Sequence, residues 1–118
     1  MPGLRVLVCG GRQFTDHELL NWHLDWLWNV SRGIDTIIQG GCGGADALAR
    51  VYAKARSIRL ETYYPDWDRF GKSAGPIRNQ RMIDQGKPDI VVAMPGGRGT
   101  KDMVLRAKKA GIGVIEAE

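Results

Sequence analysis

Three short apolar runs, each followed by glycines, constrain the fold of this chain more than any other feature. The runs cover residues 4–9, 36–39 and 90–94, and each is short enough for a buried strand. A glycine-rich turn after each run leads into a stretch with helical periodicity. Buried strands that alternate with helices predict a mainly parallel sheet that is covered by helices on both faces.

The whole chain continues this alternation. The predicted strands are residues 4–9, 36–39, 58–63, 90–94 and 112–115. The predicted helices run from a Thr15–Glu18 capping box to about residue 30, then over 46–56, from Pro76 to about 85, and from a Thr100 cap to about 110, with a loop over 65–75. Right-handed crossovers then favour strand order 3-2-1-4-5. We therefore expect an α/β, Rossmann-like three-layer sandwich with a parallel five-stranded sheet, formed as one domain by residues 1–118.

The bulk composition indicates which classes of partner the chain could bind. A net charge of +4 and a pI of about 9.3 favour an anionic partner, and basic residues lie among glycines rather than along one helix face. This placement favours a small phosphorylated ligand over nucleic acid. Two cysteines make no disulfide framework, no apolar stretch approaches the roughly 20 residues of a membrane span, and no signal-peptide pattern is present. We expect a cytoplasmic protein without a membrane partner.

The glycine turns predict the position of a binding site. In the order 3-2-1-4-5 the chain reverses direction between strands one and four, and ligands of open α/β sheets bind outside the strand carboxyl ends at such a point. Glycine lets main-chain N–H groups approach a phosphate, and each turn leads into the positive end of a helix. The alternative is that glycine serves only the tight turns. The candidate ligand-binding residues of the turns are Gly10, Gly11, Gly40, Gly41, Gly43, Gly44, Pro95, Gly96, Gly97 and Gly99.

Side chains with ligand-binding chemistry accompany these turns. Arginine offers a planar fork to phosphate, and a threonine at a helix start adds a hydroxyl. These candidates are Arg12, Arg78, Arg98 and Thr100. Asp46 could bind a ribose hydroxyl or only cap a helix. In the long loop, which is a common place for function, Trp67 could stack on a base or merely cover the sheet edge, and Lys72 accompanies it. Asn79 could read a base edge or bond to main chain.

The sequence lacks the motifs of several other nucleotide-dependent and metal-dependent activities. No GxxxxGK[ST] or GxGxxG pattern is present, so nucleotide triphosphate hydrolysis and dinucleotide redox chemistry are disfavoured. His17 and His23 have no cysteine or carboxylate cluster at metal-ligand spacing. We expect no cofactor and no metal.

The first predicted helix is apolar on more than one side. Leu20, Leu24 and Leu27 share one face, whereas tryptophans at 22, 26 and 28 and Val30 lie elsewhere. A helix of this kind is normally buried on more than one side. The second side could pack along the sheet edge, but twofold dimers are the commonest oligomers, and we expect a homodimer.

Several of these motifs together resemble a known family. They are Val8–Arg12 with Phe14 and Asp16, Gln39–Gly41 through Gly44–Asp46, Asp66–Trp67, Gly71–Lys72 to Arg78–Asn79, Lys87–Asp89 and Pro95–Thr100. Over nearly the whole chain they resemble the YspA-like branch of the SLOG superfamily. The resemblance implies a Rossmann-like fold that binds nucleotides or nucleotide-derived ligands. The superfamily includes the LOG phosphoribohydrolases, sensor domains for nucleotide signals, and the Smf DNA-processing proteins that bind single strands.

The resemblance to the LOG enzymes fails at one position. Their motif is similar to PGGxGTxxE, in which the closing glutamate and an upstream arginine carry the hydrolysis. This chain has PGGRGTKDM, with Met103 at the glutamate position and Arg78 as the matching arginine. Asp102 lies one residue away, about 100° around a helix. Hydrolysis would therefore need a relocated carboxylate, from Asp46, Asp102 or Asp16.

Three functions stay open. The preferred one is binding of a nucleoside phosphate or ADP-ribose-like ligand, as a sensor, carrier or sequestering module. The second is N-glycosidic hydrolysis of nucleoside 5′-monophosphates, with Arg78, Asp46 and Asp102 as catalytic candidates. The third is binding of single-stranded nucleic acid, which the pI and Trp67 favour and which predicts strong salt dependence.

Overall fold

The computed structural model describes residues 3–117 and contains five strands and five α-helices within them. The strands are β1 (Leu4–Cys9), β2 (Ile34–Gln39), β3 (Arg59–Thr62), β4 (Ile90–Ala93) and β5 (Gly113–Glu116). The helices are α1 (His17–Val30), α2 (Ala45–Ala55), α3 (Trp67–Phe70), α4 (Ala74–Asp84) and α5 (Arg98–Lys109), with a 3-10 turn at Gly71–Ser73. None of the described helices is long and apolar enough to cross a membrane.

The five strands form one parallel sheet in the order β3-β2-β1-β4-β5, as predicted. β1 lies at its centre, with Val6 opposite Ile37 of β2 and opposite Ile90 of β4. Because all strands are parallel, their carboxyl ends lie at one edge. The point at which the strand order reverses, between β1 and β4, therefore opens at that edge. The fold is Rossmann-like α/β.

The core is divided by the sheet into two layers, because successive strand residues point to opposite faces. Val6 and Val8 of β1 pack with α1 and α2, whereas Leu7 and Cys9 pack with α4 and α5. Met103 belongs to the second layer and is fully buried. The two layers fix α4 and α5 beside each other on one face of the sheet, with their first turns at its carboxyl edge.

Two predicted helix starts and one predicted loop are wrong. Asp16, not Thr15, caps α1, because its carboxylate accepts a hydrogen bond from the Leu19 N–H at 3.1 Å. α5 begins earlier than a Thr100 cap would place it, with Gly97 as its N-cap. The 65–75 segment contains α3 and the 3-10 turn, and the Asp66 carboxylate caps α3 through the Arg69 N–H.

Candidate functional site

A cavity of about 650 Å³ opens at the carboxyl edge of the sheet, above β1 and between β2 and β4. This volume lies in the range of small-molecule sites. The cavity is lined by Cys9, Gly10, Gly11, Arg12, Cys42, Asp46, Trp67, Lys72, Gly75, Pro76, Arg78, Asn79, Met82, Gly97, Arg98, Gly99, Thr100 and Asp102. The structure thus brings together thirteen of the sequence-predicted residues around one space.

Two helices begin at this cavity. Gly75 and Pro76 come from the first turn of α4, and residues 98–100 form the first turn of α5. The first main-chain N–H groups of a helix have no partner inside it, and they carry partial positive charge. The earliest bond of α5 is donated by the Lys101 N–H to Gly97 O, so the preceding N–H groups lie at the cavity end. This arrangement suits an anion.

Basic side chains outnumber carboxylates on the cavity wall, four to two. Arg12, Lys72 and Arg98 are exposed, and none of them forms an ion pair with a residue of the described range 3–117. The Arg12 guanidinium carbon lies 5.6 Å from the centroid of the Trp67 ring, so the two side chains stack at the cavity mouth. Trp67 is about half exposed and leaves ring surface available.

Arg78 and Asn79 are buried and bound within the protein. Arg78 Nη1 donates to Gly40 O at 2.6 Å, and its Nε donates to Asn79 Oδ1 at 2.9 Å. The Asn79 amide then donates to Gly99 O at 3.2 Å and to Asp102 Oδ2 at 2.9 Å. Both residues line the cavity, but much of their hydrogen-bonding capacity joins the β2 side of the crevice to the β4 side.

Asp46 is a buried carboxyl on the cavity wall. Burial raises its pKa above the ordinary value, and a hydrogen bond from the Cys42 N–H at 3.1 Å and the charge of Arg78 offset this rise only in part. Asp46 is the second residue of α2 and not its N-cap, which is Gly44. The Asp46 carboxylate holds the preceding turn in place through the Cys42 N–H, and the residue also lines the cavity.

The surroundings of Asp102 shift its pKa in the opposite direction. Partial burial opposes its ionisation, but hydrogen bonds from Arg106 at 2.8 Å and from Asn79 outweigh that effect and lower its pKa. Met103, at the motif glutamate position, points away from the cavity into the core layer under α5. The remaining carboxylate candidate, Asp16, caps α1 and does not line the cavity.

Three glycine turns meet at the cavity, and they differ in how they are used. We name them the β1 loop (residues 10–12), the β2 loop (40–44) and the β4 loop (96–99). The Gly11 N–H donates to Pro95 O at 2.9 Å, and the Ala45 N–H donates to Gly11 O at 3.1 Å, so the loops are bonded to one another. The candidates that do not line the cavity are Gly40, Gly41, Gly43, Gly44, Pro95 and Gly96.

The sequence prediction missed five lining residues: Cys9, Cys42, Gly75, Pro76 and Met82. Cys9 ends β1 immediately before a glycine turn, and Cys42 lies inside one, so their positions carried the signal. Burial raises the pKa of the Cys9 thiol to about 12, with a further contribution from Asp46, so this thiol stays protonated. Among residues 3–117, no group of three or more His, Cys, Asp or Glu side chains is placed to hold a metal ion.

Comparison with known proteins gives two matches. The family model described as YspA, cpYpsA-related SLOG family matches residues 4–70, which include the β1 loop, the β2 loop and Trp67. A protein of Mycobacterium phage D29, described as the Gene 61 protein, is 35% identical over 120 aligned residues. That alignment covers 94% of this chain and 94% of the phage protein, so it extends the similarity through the β4 loop.

Proposed function

Because the chain belongs to the YspA, cpYpsA-related SLOG family, we propose that its crevice binds a nucleotide or nucleotide-derived ligand, as a sensor, carrier or sequestering module. The observation that carries this proposal is the meeting of unpaired basic side chains with two helix N-termini at one cavity. Either feature attracts phosphate, and the two together favour a dianionic group over a carboxylate.

In this proposal the phosphate lies at the first turn of α5. Main-chain N–H groups of that turn donate to it, the Thr100 hydroxyl adds a donor, and Arg98 supplies charge. Arg12 and Lys72 extend the positive wall toward the cavity mouth, where a second phosphate of an ADP-ribose-like ligand would lie. Arg78 acts chiefly by holding the β2 loop, because its Nη1 and Nε are already committed.

The base lies on Trp67 in this proposal. Stacking of a base on an aromatic ring contributes about 1–3 kcal/mol and tolerates several bases. The Arg12 guanidinium already rests over this ring, so a bound base would stack beside it or displace it. Asp46, which also lines the cavity, accepts a hydrogen bond from a ribose hydroxyl in this proposal.

The test is isothermal titration of a ligand panel into wild type, Arg98→Ala and Lys101→Ala. The panel contains nucleoside 5′-monophosphates, ADP-ribose, the matching nucleosides and a short single-stranded oligonucleotide. Arg98→Ala should weaken binding of phosphorylated ligands about 10- to 100-fold, since a charge-assisted hydrogen bond contributes about 1.5–3 kcal/mol. Lys101→Ala removes the same charge from the same helix, but at a position outside the cavity wall, and should leave affinity nearly unchanged.

Equal losses in the two variants would mean that only net charge matters, and would contradict a defined phosphate position. Nucleosides that bind as tightly as their monophosphates would contradict it as well. Tight, strongly salt-dependent binding of the oligonucleotide alone would favour the nucleic-acid function instead.

A second candidate function is N-glycosidic hydrolysis of nucleoside 5′-monophosphates, and Asp46 is the observation that favours it. A carboxyl whose pKa is raised by burial is the kind of group that serves as a general acid. Asp102 is less suited, because Arg106 and Asn79 keep it ionised and occupied. Proton NMR of the ligand mixtures over time distinguishes the two functions. Free base that appears with wild type and not with Asp46→Asn would establish hydrolysis, whereas binding without base release would exclude it.

A further inference from the structure

The outer side of α1 carries a ridge of large apolar side chains that are largely exposed. Within the described chain Trp22 contacts the ring of its neighbour His23 edge-on, with the ring centroids 4.9 Å apart. Trp22, Trp26 and Val30 recur every four residues, so they lie along one line of the helix opposite its buried leucines. Their exposed fractions are 61%, 47% and 59%, and Trp28 on the flank toward α2 is 42% exposed. Tryptophan is rarely left in water to this degree, and such patches mark interaction surfaces.

Beside the ridge lies a depression of about 440 Å³ between α1 and α2. Trp28 and Tyr52 form apolar walls, and Arg56 rests over the Tyr52 ring with its guanidinium carbon 3.7 Å from the centroid. Asp25 and Asn29 add hydrogen-bond acceptors at the rim, and Asp25 accepts from the Tyr52 hydroxyl at 2.6 Å. The depression therefore offers both aromatic and cationic surface to an entering indole ring and acceptors to its N–H group.

The charge of this surface favours an uncharged partner over an anionic one. The chain has 17 lysines and arginines, yet none lies between Arg12 and Arg32, the segment that contains all of α1. Nucleic acids and anionic membranes are bound through clusters of such residues. Arg56, the cation of the neighbouring depression, lies 3.6 Å from the Asp25 carboxylate, so its charge is partly balanced. The surface at α1 therefore suits an uncharged, apolar partner.

The ridge and Trp28 together expose about the apolar area that a homodimer needs. With about 250 Å² for a whole tryptophan side chain, the exposed parts of the three rings amount to about 370 Å² per copy, and Val30 adds to this. A symmetric pair buries such a patch twice, so apolar surface alone gives about 800 Å². A polar rim normally surrounds such a centre and brings the total above the roughly 1,000 Å² of a specific interface.

We propose that the chain forms a twofold homodimer in which the Trp22–Trp26 ridge of each copy enters the depression between α1 and α2 of the other. A twofold axis requires a surface that is complementary to itself, and a ridge next to a groove on one face meets that requirement. The ridge residues do not line the ligand cavity, so this pairing leaves the crevice open. The inference does not depend on the proposed function.

The test is sedimentation equilibrium of the whole chain over about a hundredfold range of concentration, because mass action governs a dimer. Wild type should have twice the 13.1 kDa chain mass. Trp22→Ser and Trp26→Glu should each weaken dimerisation about a hundredfold or more, since each change occurs twice in the interface and buried tryptophans dominate such energetics. Leu105→Glu is the matched control, because Leu105 is 68% exposed on α5, on the other face of the sheet.

All variants should have the circular dichroism spectrum of wild type and the same affinity for ADP-ribose. These controls separate loss of dimerisation from loss of folding. The proposal is overturned by a wild type that stays monomeric at every concentration, or by a dimer that Leu105→Glu breaks and Trp26→Glu does not. A monomer whose tryptophan fluorescence shifts on vesicles of neutral phosphatidylcholine would assign the ridge to a lipid surface and would also overturn it.

Discussion

The β2 loop and the β4 loop are both rich in glycine and both follow a central strand, yet the structure uses their glycines differently. A Cβ added at Gly40 would meet the Arg78 guanidinium, and one added at Gly44 would meet the main chain of Gly11 and Arg12. A Cβ added at Gly97 or Gly99 would meet no atom of the described chain within 4 Å. Gly40 and Gly44 make room for the protein itself, whereas Gly97 and Gly99 leave the space open at the cavity. Gly96, at the start of the β4 loop, packs against Gly11 and Thr100 and so resembles the β2-loop glycines.

Composition alone does not show how a glycine-rich turn is used. The number of glycines is similar in the two loops, yet some of these glycines pack against the protein and others face the cavity. What separates them is the neighbour on the open side. For Gly40 and Gly44 that neighbour is a buried arginine or the β1 loop, and for Gly97 and Gly99 it is the cavity.

The largest expected effect is a loss of stability when a side chain is added to a glycine of the β2 loop. Gly44 has a φ of +62°, a left-handed conformation that alanine adopts only with strain, and its added Cβ would lie 2.6 Å from Arg12 O. We expect Gly44→Ala to lower the free energy of unfolding by about 3 kcal/mol or more. Urea denaturation followed by circular dichroism measures this, and a loss below about 1 kcal/mol would show that the loops shift apart easily.

A glycine-to-alanine substitution in the β4 loop should affect ligand affinity and not reduce stability. Gly99 is in the first turn of α5, where alanine is a better helix former, so Gly99→Ala should leave the stability unchanged or raise it by up to about 0.5–1 kcal/mol. Its methyl group would enter the space that we assign to phosphate. Affinity for inorganic phosphate and ADP-ribose should fall about tenfold, or about 1.4 kcal/mol.

Urea denaturation and calorimetric titration of Gly99→Ala separate these two effects. Gly111→Ala is a poor control, since its φ is +78°. Gly113→Ala is suitable, because an added Cβ there also meets nothing within 4 Å and the residue lies in β5 away from the cavity. Unchanged ligand affinity in Gly99→Ala would move the phosphate away from the β4 loop.

The smallest expected effect concerns Asp102, which supports the β4 side through Asn79. Its folded-state pKa is lowered, so its contribution to stability is present above the unfolded pKa of about 4 and is lost as the pH falls through the folded value. Because Asp102 is partly exposed, we expect a contribution of about 1 kcal/mol or less. The stability difference between wild type and Asp102→Asn should be constant near neutral pH and shrink below about pH 4. Urea midpoints in a pH series measure it, and a difference that grows toward acid pH would contradict the assignment.

The sequence predicted the fold well, because the fold depends on patterns that repeat along the chain. Five predicted strands and right-handed crossovers were enough for the strand order, which the structure confirms. The errors are local. Thr15 and Asp16 are both good caps, and only the geometry of the turn selects Asp16. α3 was missed because a four-residue helix is too short to have a visible period.

The position of the cavity agrees with the switch-point rule, but the sequence did not show which of its residues are bound within the protein and which are exposed. Arg78 and Arg98 have the same side chain beside the same crevice, yet one is buried against Gly40 O and the other is exposed. That difference depends on which residues of α4 and α5 face each other, a packing property that spacing alone does not fix. The same holds for Met103, whose direction is set by the core layer beneath α5.

The burial of Met103 also limits how this chain can change in evolution. Glutamate at this position would complete the LOG-like motif in the sequence. In the molecule it would put a carboxylate into the apolar core layer that Met103 shares with Leu7, Ile38 and Val91. The packing under α5 would therefore have to change before that glutamate is tolerated, so this substitution alone is expected to destabilise the protein.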